Sequence, residues 1–200
     1  MVDWDADTPQ LRGNLAKIFR RVRDEALRRE PLTTEVARGW QIDMMNGLIP
    51  PDPTLVGRFR GEAGLEDYNV KVGGLPGAWA PDVSADLAAF DRKLQLAVSE
   101  LDQRIEPGQD LTADDLAAIL TLCAWAHSEW IRIHPFANGN GRTARLWVNS
   151  LAMRYGLPPF LRVRPRPGGG YSRASAAAMQ GDWHLTVALF RQMYIASLRT

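Results

Sequence analysis

Two hundred residues, 46% of them hydrophobic and 24% charged, fit one ordinary globular domain that buries its core without disulfides or metal staples. A formal net charge of +1 removes any global electrostatic argument for nucleic acid or an anionic membrane as a partner, and neither is expected. The single cysteine excludes an intrachain disulfide and a thiolate metal cluster.

The N-terminal MVDWDADTPQ is acidic and lacks the apolar centre of a signal peptide. No run is apolar for long enough to cross a bilayer. A cytoplasmic protein is therefore expected, with export as an effector through a specialised secretion system as the alternative. Of the 24 basic residues 21 are Arg and three are Lys, a skew that a GC-rich genome explains without any ligand.

Leu11 to Arg29 carries Leu15, Ile18, Phe19, Val22 and Ala26 at helical spacing, and Pro31 ends that helix. Thr33 or Thr34 can cap a second helix, which runs to Gly47 on Val36, Trp40, Ile42, Met44 and Met45. IPPDP, residues 49–53, is a rigid break. YNVKV, Tyr68 to Val72, alternates as a short strand does, and GGLPG behind it is turn chemistry, so one small hairpin is expected there.

A third helix spans Val83 to about Ile105, with Leu87, Phe90, Leu94 and Val98 on one face. Thr112 caps a fourth, since Asp114 and Asp115 fall in its first turn where the dipole favours them. That helix is apolar almost all round, which marks it as central and buried. It ends at His134 because Pro135 disfavours helical geometry at the residue before it. A fifth begins near Gly141 or Arg142 and closes at Gly156 and Pro158. Helices over 174–180 and 183–198 complete an all-α bundle with a β-hairpin insert.

The stretch IRIHPFANGNGRTARLW, residues 131–147, is too dense in special residues for packing alone. Gly139, Asn140 and Gly141 make a turn leading into a helix N-terminus, where backbone N–H groups and the dipole end form an anion nest. Arg142 and Arg145, three apart, can reach one anion together. Two cations and a nest suit a polyphosphate better than one carboxylate. His134, across the loop, has an ordinary pKa near neutrality and can act as general base for a hydroxyl attacking phosphorus. The parts amount to phosphoryl or nucleotidyl transfer.

HPFANGNGRTAR, His134 to Arg145, resembles the signature of Fic-domain proteins: His-Pro-Phe, any residue, Asp or Glu, Gly-Asn-Gly-Arg, two residues, Arg. GRFRGE ahead of the YNVKVGG hairpin is similar to that family's flap region, and YSRASAAAMQGDWHLTVALF to its closing helices. The resemblance implies a Fic-fold helical bundle over residues 33–200, preceded by an N-terminal helix region at 1–32. It implies transfer of AMP from ATP to a Ser, Thr or Tyr hydroxyl of a target protein. His134 would deprotonate that hydroxyl, and Phe136 would anchor the loop. Gly139, Asn140 and Gly141 would hold the α- and β-phosphates, and Arg142 and Arg145 the outer ones. Tyr68, Asn69, Val70, Lys71 and Val72 would form a flap whose edge pairs with an extended target segment.

Asn138 departs from the family pattern. It stands where AMP-transferring members carry an acid that binds Mg2+, and an amide oxygen is a weaker ligand than a carboxylate. Three outcomes follow: a slower metal-dependent AMP transferase, which is ranked first, a transferase using another nucleotide or diphosphate donor, or a catalytically silent nucleotide-binding module. A kinase-like variant is disfavoured, because Doc-type motifs carry Ala-Asn-Lys where this chain has Gly-Asn-Gly-Arg. Many members are also inhibited by a helix bearing Ser or Thr, three residues, then Glu and Gly or Asn. TPQLRGN, Thr8 to Asn14, has that outline with Arg12 in place of the glutamate. An arginine cannot pair with Arg145, so the match is either accidental or a degenerate inhibitory helix that marks a lost brake, and any inhibition is expected from a separate antitoxin-like partner.

Other special residues have packing explanations. Cys123 and His127 belong on the buried fourth helix, and His184 beside Trp183 is expected to be structural. Trp125, Trp130, Trp147 and Trp183 fall at core spacing. Arg162, Arg164 and Arg166 alternate in a loop that could rim the site, and Tyr171 could line an adenine pocket.

Overall fold

The computed structural model describes Trp4 and residues 7–199; most of the acidic stretch before Asp7 lies outside the described residues. Among those residues there are seven α-helices: α1 (Pro9–Leu27), α2 (Thr34–Met45), α3 (Val83–Arg104), α4 (Ala113–Ile133), α5 (Asn140–Arg154), α6 (Tyr171–Ala178) and α7 (His184–Ser197). Two short strands, β1 (Lys71–Val72) and β2 (Leu75–Pro76), pair antiparallel as Lys71 with Pro76 and Val72 with Leu75. None of the helices is long and apolar enough to cross a membrane.

Helix boundaries follow from local chemistry. The Thr33 side chain caps α2 by accepting from the Val36 N–H. Thr112 and Asp115 form a full capping box at α4, each side chain bonding the other's backbone N–H. Pro9 opens α1 behind a Thr8 cap, two residues earlier than apolar spacing alone indicates, because proline suits the first helical position.

Helices α4 and α5 form the central pair, with α1 and α2 on α5, α3 and α7 on α4, and α6 lodged against α4 and α7. Between them sits an aromatic cluster. Trp147 meets Trp40 at 5.1 Å, Phe90 at 5.4 Å and Trp130 at 5.6 Å between ring centroids. All four rings are buried, and edge-to-face geometry predominates, as ring quadrupoles favour. Trp125 stacks on Phe90 from a half-buried position, whereas Trp183 stacks on exposed His184 and lies outside this cluster. Helix α1 shares the common core through Leu11, Leu15, Ile18 and Val22. The Asn14 amide on its inner face donates to the backbone oxygens of Met44 and Asn46 at the end of α2.

The hairpin is shorter than YNVKV suggests. Only Lys71 and Val72 are strand; Tyr68, Asn69 and Val70 have other commitments. The Tyr68 carbonyl accepts from Arg60, the Asn69 side-chain oxygen accepts from the Ala80 N–H at 2.9 Å, and Val70 is buried.

Candidate active site

The loop between α4 and α5 carries the HPFANGNGR residues, and its shape is over-determined. His134 is the C-cap of α4 in the left-handed region, φ 52°, which turns the chain sharply out of the helix. Phe136 is fully buried against Phe59 and Trp130, at 4.9 and 5.9 Å between centroids. Asn140 closes the turn with its side chain, accepting from the Phe136 N–H at 2.9 Å and donating to the Phe136 carbonyl at 2.7 Å. Gly139 caps α5 at φ 93°, a conformation that side chains other than glycine adopt only with strain. The Trp130 indole N–H donates to Thr143 at 2.7 Å and ties the first turn of α5 to α4.

Arg60 joins this loop to the flap. It is 1% exposed, and among the described residues no carboxylate pairs with it. Its guanidinium donates to four backbone carbonyls: His134 at 2.7 Å, Ile133 at 2.7 Å, Ala78 at 2.9 Å and Tyr68 at 3.2 Å. Two of these are C-terminal acceptors of α4, where a cation is favoured by the helix dipole. Burial still lowers the Arg60 pKa to about 10. The Arg60 N–H donates to the Pro135 carbonyl, and Phe59 forms a lone antiparallel bridge with Phe136. Gly77 lies beneath this junction, where a Cβ would stand 3.0 Å from that of His134.

His134 is half-buried, and its Nδ1 lies 3.2 Å from the Ile131 carbonyl. A carbonyl only accepts, so Nδ1 carries the hydrogen and Nε2 keeps the lone pair. Burial, with the nearby Arg60 cation, lowers the imidazole pKa to about 4 against the bond to Ile131. The ring is therefore neutral near pH 7 and holds an acceptor nitrogen.

His134, the start of α5 and the hairpin turn line one cleft of about 840 Å³. Its charged lining is Lys71, Arg142, Arg145, Arg164 and Arg166; no aspartate or glutamate lines it among the described residues. The Arg142 pKa is pushed down to about 9 by burial first, then by Arg164 and Arg145. Arg145 is also buried, and three of its N–H groups are spent on structure. Its Nε and Nη2 donate to the Val163 carbonyl at 3.0 and 2.8 Å, and Nη1 to the Tyr171 hydroxyl at 3.2 Å. Arg145 thus braces the 156–170 loop against the cleft as well as charging it.

The glycine turn works differently from a nest in which three residues serve alike. The Gly139 N–H donates to the Asn138 side-chain oxygen at 2.6 Å, and the Asn140 side chain is consumed by Phe136. The N–H groups of Arg142 and Thr143 return to the Gly139 carbonyl. The first-turn N–H groups of Asn140 and Gly141 remain the backbone donors at the end of α5.

Of the flap residues, Lys71 and Val72 reach the cleft, whereas Tyr68 packs beside Leu55, Leu65 and Ala137. Arg164 and Arg166 enter the lining, but Arg162 does not. Arg164 also bonds Asp7 at 3.2 Å, and Asp7 holds Arg12 at 3.1 Å. Arg12, in the TPQLRGN segment, is thus a surface partner of Asp7. Tyr171 is buried, its hydroxyl 2.6 Å from His127 Nε2 and its ring beneath the guanidinium groups of Arg145 and Arg166. Burial, then Arg145 and Arg166, depress the His127 pKa to about 3. Burial raises that of the Cys123 thiol, whose inert apolar setting matches its expected structural role. His184 is exposed and bonds Asp182 at the start of α7.

Arg60 and Gln41 escaped the sequence reading. Gln41 is fully buried, accepts from the Gly57 N–H at 2.6 Å and donates to the Asn138 carbonyl at 3.5 Å. For Arg60 the available signal was its place in GRFRGE, where only the flap resemblance gave the segment meaning.

A family model described as Fic/DOC family matches residues 31–152. Over 59 residues, 30% of this chain, the sequence is 42% identical to the protein adenylyltransferase Fic of Drosophila persimilis. Over 38 residues, 19% of this chain, it is 55% identical to the protein of that name from Aedes aegypti. The matched stretches span 11% and 8% of those relatives' own length. A Fic domain containing signaling protein from Bacteroides thetaiotaomicron superposes with a TM-score of 0.63 at 21% identity, covering 94% of this chain and 66% of that one. BepC, a VirB-translocated effector protein from Bartonella tribocorum solved with bound AMPPNP, also gives 0.63, at 17% identity, with 92% and 83% covered. At these identities the structural likeness speaks for the fold.

Proposed function

The chain belongs to the Fic/DOC family, and from that premise we propose that it transfers AMP from ATP to a hydroxyl side chain of a target protein. The observation that carries this reading is the protonation geometry of His134. With Nδ1–H held by the Ile131 carbonyl, Nε2 is the acceptor, in a cleft shared with the α5 N-terminus and Arg142. Nε2 takes the proton of the target hydroxyl as its oxygen bonds to the α-phosphorus. The bond from that phosphorus to the α,β-bridging oxygen breaks, and pyrophosphate leaves. The N–H groups of Asn140 and Gly141, with the α5 dipole, stabilise charge on the phosphoryl oxygens. Lys71 and Val72 present a short strand edge to an extended target segment.

Incubation with ATP labelled at either the α- or the γ-phosphate, in the presence of a cell lysate, tests this. Label from the α position should be retained on protein and be lost in His134→Ala. Label from the γ position alone would make the protein a kinase. Nucleotide binding with no transfer of either label would favour a silent binding module.

A further inference from the structure

The two α5 arginines of the cleft are held in different ways. Arg142 Nη2 donates to the Asn138 side-chain oxygen at 3.2 Å, and the Gly139 N–H donates to the same oxygen at 2.6 Å. That amide oxygen is committed twice and does not fit Mg2+, which seeks charged oxygen ligands. Arg145 is held from behind, by groups that the HPFANGNGRTAR stretch does not contain. Its Nε and Nη2 donate to the Val163 carbonyl, and its Nη1 to the Tyr171 hydroxyl. The guanidinium also lies against the start of α5, where a Cβ on Gly141 would stand 3.3 Å from Nη1. A guanidinium carries five N–H groups, so two remain beyond these bonds.

The hydrogen of the Tyr171 hydroxyl is located by counting. Arg145 Nη1 can only donate, so the hydroxyl oxygen accepts there. Its hydrogen must then go elsewhere, and His127 Nε2 lies 2.6 Å away. His127 is thus the Nδ1–H tautomer, and burial, then Arg145 and Arg166, keep its ring neutral. The His127 Nδ1 is buried with no hydrogen-bond partner among the described residues. The opposite tautomer would leave two groups unmatched, the Nδ1 lone pair and the hydroxyl hydrogen. An unmet buried donor costs stability, and an apolar side chain would pack against Tyr171 and Phe190 without one. Packing alone therefore does not account for a histidine at 127.

We propose that His127 is a positioning residue for the cleft: by taking the Tyr171 hydroxyl hydrogen it turns that oxygen's lone pairs toward Arg145 and fixes the guanidinium for a bound anion. Without an acceptor at 127 the hydroxyl is free to turn its hydrogen toward the cation, which repels it. The relay runs from α4 through α6 to α5. It begins at a residue outside the cleft lining and ends on one within it. It deepens the proposed function and rests on reading the cleft as the nucleotide site. The Tyr171 hydroxyl, its hydrogen given to His127, offers a nucleobase no donor.

Arginine Nε–H resonances of the 15N-labelled full chain, together with calorimetric titration with ATP, test it. Tyr171→Phe and His127→Leu should each shift the Arg145 Nε–H resonance and weaken ATP about fivefold, the loss of one hydrogen bond. His127→Gln, whose side-chain oxygen can take the place of Nε2, should return the resonance toward its parent position and ATP affinity to within about twofold. The double variant of Tyr171→Phe and His127→Leu should bind no more weakly than either single one, because both break the same link. Additive losses, or an Arg145 resonance unmoved by His127→Leu, would overturn the relay. So would His127→Gln behaving as His127→Leu does, since a residue that only fills space gains nothing from the restored acceptor. ATP binding that weakens as expected, with no AMP transferred by the parent, removes the proposed reaction and keeps the inference. If the parent binds no ATP, the nucleotide reading falls and the resonance decides the relay: shifted by both single substitutions it stands, unmoved it falls.

Discussion

Arg60 Nε donates to the backbone oxygen of His134 at 2.7 Å across 74 residues of sequence. The proposed base is therefore held by a guanidinium on its main chain, while its ring is set by Ile131. Arg60→Ala would take a donor from four carbonyls, that of Ile133 buried and the other three part-buried, and should cost about 3–5 kcal/mol of unfolding free energy in urea. Arg60→Lys should recover only part of that, because three donors on a point charge cannot replace a planar fork. At temperatures where the Lys variant is folded, kcat should fall while the KM for ATP holds. An equal change in both would mean that Arg60 supports the fold without orienting His134.

His134 should be neutral well below physiological pH. In free protein, its ring proton resonances should stay constant from about pH 8 to about 5.5, and protonation should begin only toward about 4. Correspondingly, kcat/KM should be flat across the neutral range, since it reports the free enzyme. A titration midpoint near the ordinary histidine value would show that water solvates the ring more than its surroundings indicate.

Asn140 is a clamp whose side chain makes two buried bonds to one residue, Phe136. Asn140→Ala should lower stability by about 2–3 kcal/mol and weaken ATP binding through loss of loop shape. Asn140→Asp should be no milder, because its second oxygen would face the Phe136 carbonyl where an N–H now donates. Equal stability of parent and Ala variant in urea titrations would contradict the clamp.

His127 predicts an acid weakness. Its folded pKa is about 3, below the unfolded value, so the unfolded chain gains a proton first as pH falls. Stability from this group is fully present above about pH 6.5 and is lost as pH falls toward about 3. The loss is about 1.4 kcal/mol per pH unit. Between about pH 7 and 5 that amounts to about 2 kcal/mol, which should be missing from the pH dependence of His127→Gln. Parallel pH profiles for the two proteins would rule it out.

Much of the fold was legible because its signals are local. Thr33, Thr112, Pro135 and Gly156 each act within a few residues, and the ends of α2, α4 and α5 fall where they indicate. His134 and the start of α5 were legible for the same reason, as was Phe136 in the core. The strand is shorter than the alternation over Tyr68 to Val72 suggests, because alternation cannot reveal that Arg60 and Ala80 compete for Tyr68 and Asn69. Arg60 itself was invisible: an arginine buried on four carbonyls from separate segments has no sequence pattern. Asn138 and Arg142 are four apart across a helix start, so their bond was within reach of spacing arguments. What spacing could not give is that the bond consumes the amide oxygen.

The bridge between Phe59 and Phe136 bears on how portable the signature is. A fragment beginning at Val83 would contain every residue from His134 to Arg145 and both helices that flank them. It would lack Phe59, Arg60 and Gly77, and with them the partners that give the turn its shape. Grafting the twelve residues between two helices of another bundle would transfer the letters without the conformation. Any transplantable unit of this site is a discontinuous one, joining at least residues 57–80 to residues 113–154.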